Sequence, residues 1–210
     1  MLRKPIMVLL GLVAFIATML PASAQVNVVG QPGLTTAYLA RNTYSAAFIG
    51  LVPAASTTDL VCLAGSASKT IRLQNIKMSG SGTAISIPVT VLKRVTADTA
   101  GTAASTTANP ANTISKRDSA NPTAVAVPIA YTANPTINDT SPTYIDSQQF
   151  GVVATTVGVI SPQIVFDFSK DLENFQQLPA IKGAAEQICV NLNATSATAL
   201  LTGSLTWTEE

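Results

Sequence analysis

Apolar residues recur at every second position along much of this chain, and that period limits what the chain can fold into. Successive side chains of a β-strand point to opposite faces, so a period of two predicts strands with one buried face, whereas a helix needs a period near 3.6. The alternation is clearest in five segments: Ile85–Val91, Val125–Tyr131, Ile164–Phe168, Ile188–Leu192 and Leu201–Trp207.

The segment 69–78 predicts a further strand that contains a β-bulge. Its apolar residues change parity at Gln74-Asn75, which indicates one extra residue there. A Ser- and Gly-rich turn follows and leads directly into the next strand. We therefore expect residues 69–93 to form a hairpin.

The remaining local signals are weaker. Ala46–Val52 and Asp59–Leu63 predict two short strands, and only Lys170–Gln177 has a helical pattern. Pro88 and Pro128 lie inside predicted strands, and because proline has no N–H to donate, both are expected at sheet edges or bulges.

Many short strands with almost no helix predict an all-β protein, an antiparallel β-sandwich that is jelly-roll-like. Residues 25–210 are expected to form a single domain, because no linker divides them into two complete halves. The stretches 97–122 and 132–146 are rich in Thr, Ala, Asn and Pro and contain few large apolar residues, so they are predicted to be long polar surface loops.

The N-terminus predicts a secretory signal peptide over residues 1–24. An uncharged apolar run, Pro5–Leu20, leads to Ala22-Ser23-Ala24, the small-x-small pattern that signal peptidase requires. Cleavage is expected between Ala24 and Gln25. The run has 16 residues, and a membrane-spanning helix needs about 20. We therefore expect a periplasmic or extracellular protein with no stable membrane anchor after cleavage.

The charge balance argues against a nucleic-acid-binding protein. Loss of Arg3 and Lys4 with the signal peptide leaves ten of the twelve basic residues against all eleven acidic ones, a net charge of −1. Nucleic-acid-binding domains normally carry a basic patch. Charged residues make up only 11% of the chain, against about 25% in an average domain, and this composition suits an extracellular or virion surface.

Cys62 and Cys189 are the only two cysteines. In an oxidising compartment we expect them to form a disulfide. It would close a loop of about 128 residues, which the chain-entropy model values at roughly 4–5 kcal/mol. The alternative is a pair of buried free thiols that pack as small apolar side chains.

Residues suited to catalysis or metal binding are scarce. The chain has no histidine, which excludes Ser–His–Asp and Cys–His catalysis and removes the commonest zinc ligand. Asp167, Asp171 and Glu173 form the tightest acidic group and could supply oxygen ligands to Ca²⁺, but the last two lie where carboxylates favour a helix start. We expect no catalytic, cofactor-binding or metal-binding residues and no enzymatic activity.

The C-terminal segment contains the only tryptophan. Trp207 shares the inward face of the last predicted strand with Leu201 and Leu205, and we interpret it as a core anchor. Glu209 and Glu210 form a negative cluster with two interpretations: a solvated tail, or a contact with a basic neighbour in an assembly.

Several short motifs follow one another in a distinctive order: Leu92-Lys93-Arg94, Thr96–Thr102, Asp118–Asn121, Ala130–Pro135 and Leu205–Glu210. Over roughly residues 60–210 the chain resembles a group of uncharacterised proteins from tailed-phage and prophage genomes. The resemblance implies a non-enzymatic, β-rich virion component of the head or tail surface and supplies no catalytic residue.

Composition and resemblance together predict an exported structural or surface-assembly protein. Its expected partners are further copies of itself or neighbouring proteins of an assembly. The alternative is a secreted monomeric binding module, such as an adhesin or a glycan binder.

Overall fold

The computed structural model describes residues 41–52, 57–101, 113–154, 162–169, 178–192 and 199–210. The predicted signal peptide, its cleavage point at Ala24-Gln25 and the predicted helix at 170–177 lie outside these residues. Arg41–Glu210 form one compact unit. Within the described part of the chain, no helix is long and apolar enough to cross a membrane.

The described residues contain strands and no α-helix. The strands are β1 (Asn42–Leu51), β2 (Thr58–Ala64), β3 (Ile71–Gly82), β4 (Ile85–Arg94), β5 (Ile114–Lys116), β6 (Val127–Ala130), β7 (Thr143–Ala154), β8 (Gln163–Asp167), β9 (Ala180–Ile181), β10 (Gln187–Leu192) and β11 (Leu200–Glu209). All eight segments that alternation or composition predicted as strands are confirmed, as β1 to β4, β6, β8, β10 and β11.

Eight of these strands form two antiparallel sheets. Sheet A has the order β1-β11-β3-β8, and sheet B has the order β2-β10-β4-β7. This is the strand order of a jelly roll, two interlocked Greek keys, and it confirms the predicted fold class. The sheets also join along one side, where Ser81 and Gly82 of β3 pair in parallel with Val153 and Ala154 of β7.

The predicted hairpin over 69–93 is wrong. β3 pairs mainly with β11, β8 and β9 of sheet A, whereas β4 pairs with β10 and β7 of sheet B. The turn between β3 and β4 therefore carries the chain across the sandwich. Both arrangements bury one apolar face of each strand, so alternation alone does not distinguish a hairpin from two strands in facing sheets.

The predicted bulge is confirmed at Gln74, which the register between β3 and β11 skips. Pro128 lies in β6, at the outer end of sheet B, as a strand proline should. Pro88 lies within β4, one residue before its pairing with β10 begins at Val89.

An insertion between β4 and β7, residues 95–142, extends both sheets. It contributes β5, which pairs with β1, and β6, which pairs with β2. The predicted loop 97–122 therefore contains a short strand, and the predicted loop 132–146 ends at 142, where β7 takes over.

Strand β7 is hidden in the sequence because its side chains do not alternate. Ile145 is an extra residue in the register with β4, so the inward-facing positions change from odd to even numbers there. The buried residues after it, Phe150 and Val152, are both at even-numbered positions. Most of the other side chains of β7 are exposed and polar. The strand therefore has the composition of a loop.

The main core lies between the two sheets, and its largest fully buried side chains are Trp207, Tyr44, Phe48, Phe150 and Phe166. The rings of Trp207 and Tyr44 stack with their centroids 5.9 Å apart. The interpretation of Trp207 as a core anchor is confirmed.

A second, smaller core lies on the outer face of sheet B. Leu92 and Tyr131 pack there with both cysteines. Because Tyr131 belongs to the insertion and Asp98 and Asp139 of the insertion also contact this face, the described parts of the insertion form a third layer over it. The polar residues Gln187 and Asn191 of the same face are buried in consequence.

Candidate functional site

The two cysteines occupy directly opposite positions on neighbouring antiparallel strands and form a disulfide. Their Cα atoms are 4.1 Å apart, and both residues are fully buried. The predicted disulfide is therefore confirmed over the alternative of two free thiols. It lies in the middle of a transverse row on the outer face of sheet B: Ile129, Cys62, Cys189, Leu92 and Tyr144.

A buried ion pair lies beside the disulfide. The Arg94 guanidinium donates through Nη2 to Oδ1 of Asp59 at 3.0 Å and through Nε to Oδ2. Nδ2 of Asn191 donates to the same Oδ1 at 2.6 Å. The Asp59 and Arg94 side chains are 0% and 3% exposed. The two hydrogen bonds from Arg94 and the one from the amide of Asn191 replace the hydrogen bonds to water that the Asp59 carboxylate loses on burial.

Asp139 of the insertion completes the environment of Arg94. Nη1 of Arg94 donates to the backbone carbonyl of Asp139 at 2.8 Å. The Asp139 carboxylate accepts the N–H groups of Val95 at 2.7 Å and Ser141 at 2.9 Å. These backbone donors, Val95 first, hold the pKa of Asp139 below its ordinary value.

Asp98 is the least satisfied member of the cluster. Its side chain is fully buried, with Oδ1 at 3.6 Å from Nε of Arg94 and Oδ2 at 3.7 Å from Sγ of Cys62. Oδ1 has no hydrogen-bond partner. Burial, together with the hydrogen bond to Asp59 and the charge of Asp59, raises the pKa of Asp98 to about 7. This carboxyl group therefore exchanges a proton near neutral pH.

Two segments of the insertion close over Asp98. Thr99 and Thr136 exchange backbone hydrogen bonds of 3.1 and 2.7 Å. Nδ2 of Asn138 donates to Oγ1 of Thr99 at 3.1 Å, and the Asp98 N–H donates to Oε1 of Gln187 at 3.1 Å. The parts of the predicted polar loops that the structure describes are thus tied to each other and to sheet B.

The cluster brings together four groups of a kind that can bind a metal. Asp59, Cys62, Asp98 and Cys189 each contribute one oxygen or sulfur atom, and these atoms all lie within 4.8 Å of one another. Sequence analysis missed this set because Asp59 and Cys62 lie far from Asp98 and Cys189 in the chain and the four residues form no known motif. The acidic group that it considered is not assembled in the described residues: Asp167 lies in β8 of sheet A, and residues 171 and 173 lie outside them.

The C-terminal glutamates are structural residues. Glu209 is buried; its carboxylate accepts the N–H groups of Val125 and Ala126 at 3.0 Å and Nε1 of Trp207 at 3.2 Å. The expectation of a solvated tail is therefore wrong for Glu209. The two backbone donors, Val125 and Ala126, join the end of β11 to the segment that leads into β6.

The alternative interpretation expected a contact between the C-terminal glutamates and basic residues of a neighbouring protein. Glu210 does contact basic residues. Its Oε1 lies 2.8 Å from Nε of Arg41, and its Oε2 lies 3.0 Å from Nε of Arg72. Both arginines belong to the same chain. All three side chains are partly exposed, so these ion pairs are worth about 0–1 kcal/mol each.

A cavity of about 440 Å³ opens between the sheets on the side of β7 and β8. Its polar lining includes Lys93, Asp146 and Asp167, and Phe168 contributes an apolar wall. Nζ of Lys93 lies 3.0 Å from Oε1 of Glu186 and donates to a backbone carbonyl in β9. The hydrogen bond from the Lys182 N–H and the Lys93 ammonium together outweigh partial burial and lower the pKa of Glu186.

Comparisons of the chain with protein-family models, curated proteins and solved structures found no match.

Proposed function

We propose that this protein is an exported, non-enzymatic structural component that takes part in a surface assembly, as the phage virion proteins it resembles would. The observation that carries the proposal is the jelly-roll core with its additional third layer. Jelly rolls recur in viral capsid domains and in lectins.

The hydrogen bonds that the carboxylates form within the chain support a structural function. The described carboxylates with the most contacts, those of Asp59, Asp139 and Glu209, accept hydrogen bonds from groups of the same chain. Each joins the insertion or a neighbouring strand to a sheet. Charged groups that form contacts within the chain stabilise a rigid structure.

The disulfide supports export. Disulfides persist in the periplasm and outside the cell and are rare in a reducing cytosol. The buried Cys62–Cys189 bond is consistent with an oxidising compartment.

A surface for assembly lies at one end of sheet A. Ile49 and Val52, near the end of β1, and Leu200, at the start of β11, are 49%, 44% and 49% exposed. The two strands are neighbours, with Leu51 opposite Leu201. Exposed apolar groups that share one end of a sheet suit a contact with a second copy.

Size-exclusion chromatography and electron microscopy of the mature protein test the proposal. We expect oligomers or particles that dissociate when Leu200 is replaced by Asp and persist when the exposed Val165 of β8 is replaced by Asp. Intact mass should show a chain that begins at Gln25. A strictly monomeric protein, or one recovered from the cytosol with residues 1–24 attached, would contradict it.

The cavity beside Lys93 favours the second candidate, a secreted binding module. Its volume falls within the usual range for small-molecule sites, about 300–1,000 Å³, and its mixed polar and apolar lining suits a polyhydroxylated ligand such as a glycan. A glycan array separates the two candidates. Specific binding by a monomer, abolished by replacing Asp146 with Ala, would favour the binding module.

A further inference from the structure

The geometry around the disulfide is close to that of a four-ligand metal site. Zn–S bonds of about 2.3 Å and Zn–O bonds of about 2.0–2.2 Å place the ligand atoms of a tetrahedral zinc site about 3.3–3.8 Å apart. Sγ of Cys62 lies 3.7 Å from Oδ2 of Asp98 and 3.9 Å from Oδ2 of Asp59. If the disulfide is reduced, the two sulfur atoms must separate to about 3.8 Å, and rotation about the Cα–Cβ bonds can supply that change.

A buried oxygen without a hydrogen bond belongs to the same cluster. Oδ1 of Asp98 accepts no hydrogen bond although the side chain is fully buried; it lies 3.6 Å from Nε of Arg94, and Oδ2 of the same carboxyl group faces Sγ of Cys62. A buried polar atom without a partner in a folded protein calls for a specific explanation, and an ion is one of the few available.

The surrounding groups favour a cation. The carboxyl groups of Asp59 and Asp98 both approach the single guanidinium of Arg94, so acidic side chains outnumber basic ones in the cluster. Arg94 and Asn191 both donate to Oδ1 of Asp59, and Arg94 also donates to its Oδ2, so the orientation of this carboxylate is fixed. Carboxylate ligands of metal sites are normally oriented by hydrogen bonds of this kind.

We propose that the reduced protein binds one Zn²⁺ ion through the thiolates of Cys62 and Cys189 and the carboxylates of Asp59 and Asp98. A dithiol reductant transfers two electrons and two protons to the disulfide, which gives two cysteine thiols and a cyclic disulfide of the reductant. Zn²⁺ then displaces the two thiol protons to solvent. One set of residues thus cross-links β2 to β10 covalently in an oxidising compartment and through a metal in a reducing one.

Cobalt provides a direct probe of this site, because thiolate-to-Co²⁺ charge transfer absorbs in the near ultraviolet. The full chain is reduced with a phosphine, checked for retained β-structure by circular dichroism, and titrated with Co²⁺ and then with Zn²⁺. We expect a charge-transfer band that saturates at one Co²⁺ per chain and disappears as Zn²⁺ is added. The oxidised protein should give no band.

The ligand assignment is tested with two matched variants. Asp98→Asn should weaken Co²⁺ binding at least about tenfold, since loss of a mere outer-shell contact already costs about 10–100-fold. Asp118→Asn, at an exposed turn where Oδ1 accepts the Ala120 N–H, should bind as the parent chain does. The proposal is overturned if the folded reduced protein gives no band, if Asp98→Asn binds as tightly as the parent, or if reduction unfolds the chain, because the site requires β2 and β10 to stay paired.

Discussion

The side chain of Arg94 reaches diagonally across strand β10 to the carboxylate of Asp59. Arg94 pairs in register with Gln187 at one end of β10, whereas Asp59 pairs with Asn191 at the other. The ion pair therefore lies over the same face as the disulfide and ties together the three central strands of sheet B. Its atoms are shielded from water, so each charge depends on the other.

Removal of one partner of this ion pair should be strongly destabilising. Asp59→Ala leaves the guanidinium of Arg94 buried without its main counter-charge, and we expect the free energy of unfolding to fall by about 3–5 kcal/mol. Urea denaturation monitored by Trp207 fluorescence measures the change. The double variant Asp59→Leu, Arg94→Met should recover much of the loss, and a double variant less stable than Asp59→Ala would contradict the argument.

Loss of the disulfide should cost a moderate amount of stability. For Cys62→Ala, Cys189→Ala we expect a decrease of about 2–5 kcal/mol, because the unfolded chain regains the freedom of a long loop. Denaturation in the presence of a chelator excludes any contribution from metal. A decrease under about 1 kcal/mol would show that the hydrogen-bonded ladder between β2 and β10 suffices without the bond.

Asp98 should make the stability of the oxidised protein depend on pH in an unusual direction. Its pKa in the folded protein, about 7, is higher than its ordinary value of 3.8, so the folded state binds the proton more tightly than the unfolded state does. Stability from this group is therefore fully present below about pH 4 and declines as the pH rises towards 7.

Asp98→Asn removes this titration and serves as its test. The variant should be more stable than the parent at pH 8, where the parent must hold a buried carboxylate, and close to it at pH 4. Thermal unfolding across this range in the presence of a chelator, with both cysteines oxidised, measures the difference. An unchanged pH profile in the variant would show that the carboxyl ionises as in water.

Glu209 and Glu210 should differ sharply in their contributions. Glu209→Ala removes the acceptor of three N–H donors, at about 1.5–3 kcal/mol for a hydrogen bond to a charged group, so we expect a loss of at least about 3 kcal/mol. Glu210→Ala removes only exposed ion pairs and should cost under about 1 kcal/mol. Parallel urea titrations of the two variants make the comparison, and equal losses would contradict the assignment of Glu209 as a buried link.

The sequence predicted most of the strands correctly but did not predict which strands pair with each other. Alternation located β4, β10 and β11 because each places large apolar side chains on the face towards the main core and other residue types on the opposite face, and the parity change at Gln74 located the bulge. It missed β7, where Ile145 breaks the alternation, and it assigned β3 and β4 to one hairpin. Pairing depends on how the sheets stack, and the period of a strand carries no information about that.

The cluster of charged residues around Arg94 could not be predicted from the sequence, for a related reason. Asp59, Arg94 and Asn191 occupy outward positions of their strands, where polar residues normally meet water. They are buried because the insertion covers that face, and the insertion itself has the composition of a loop. Residue type alone could identify only the two cysteines, because in a chain that is expected to be exported two cysteines have only each other as disulfide partners.

The position of β11 in sheet A limits when this protein can fold. β11 lies between β1 and β3, so sheet A stays divided until residues 200–209 have left the ribosome. Contacts between segments this distant in sequence also form slowly. A nascent chain therefore cannot complete sheet A, or the core between the two sheets, until β11 has been synthesised.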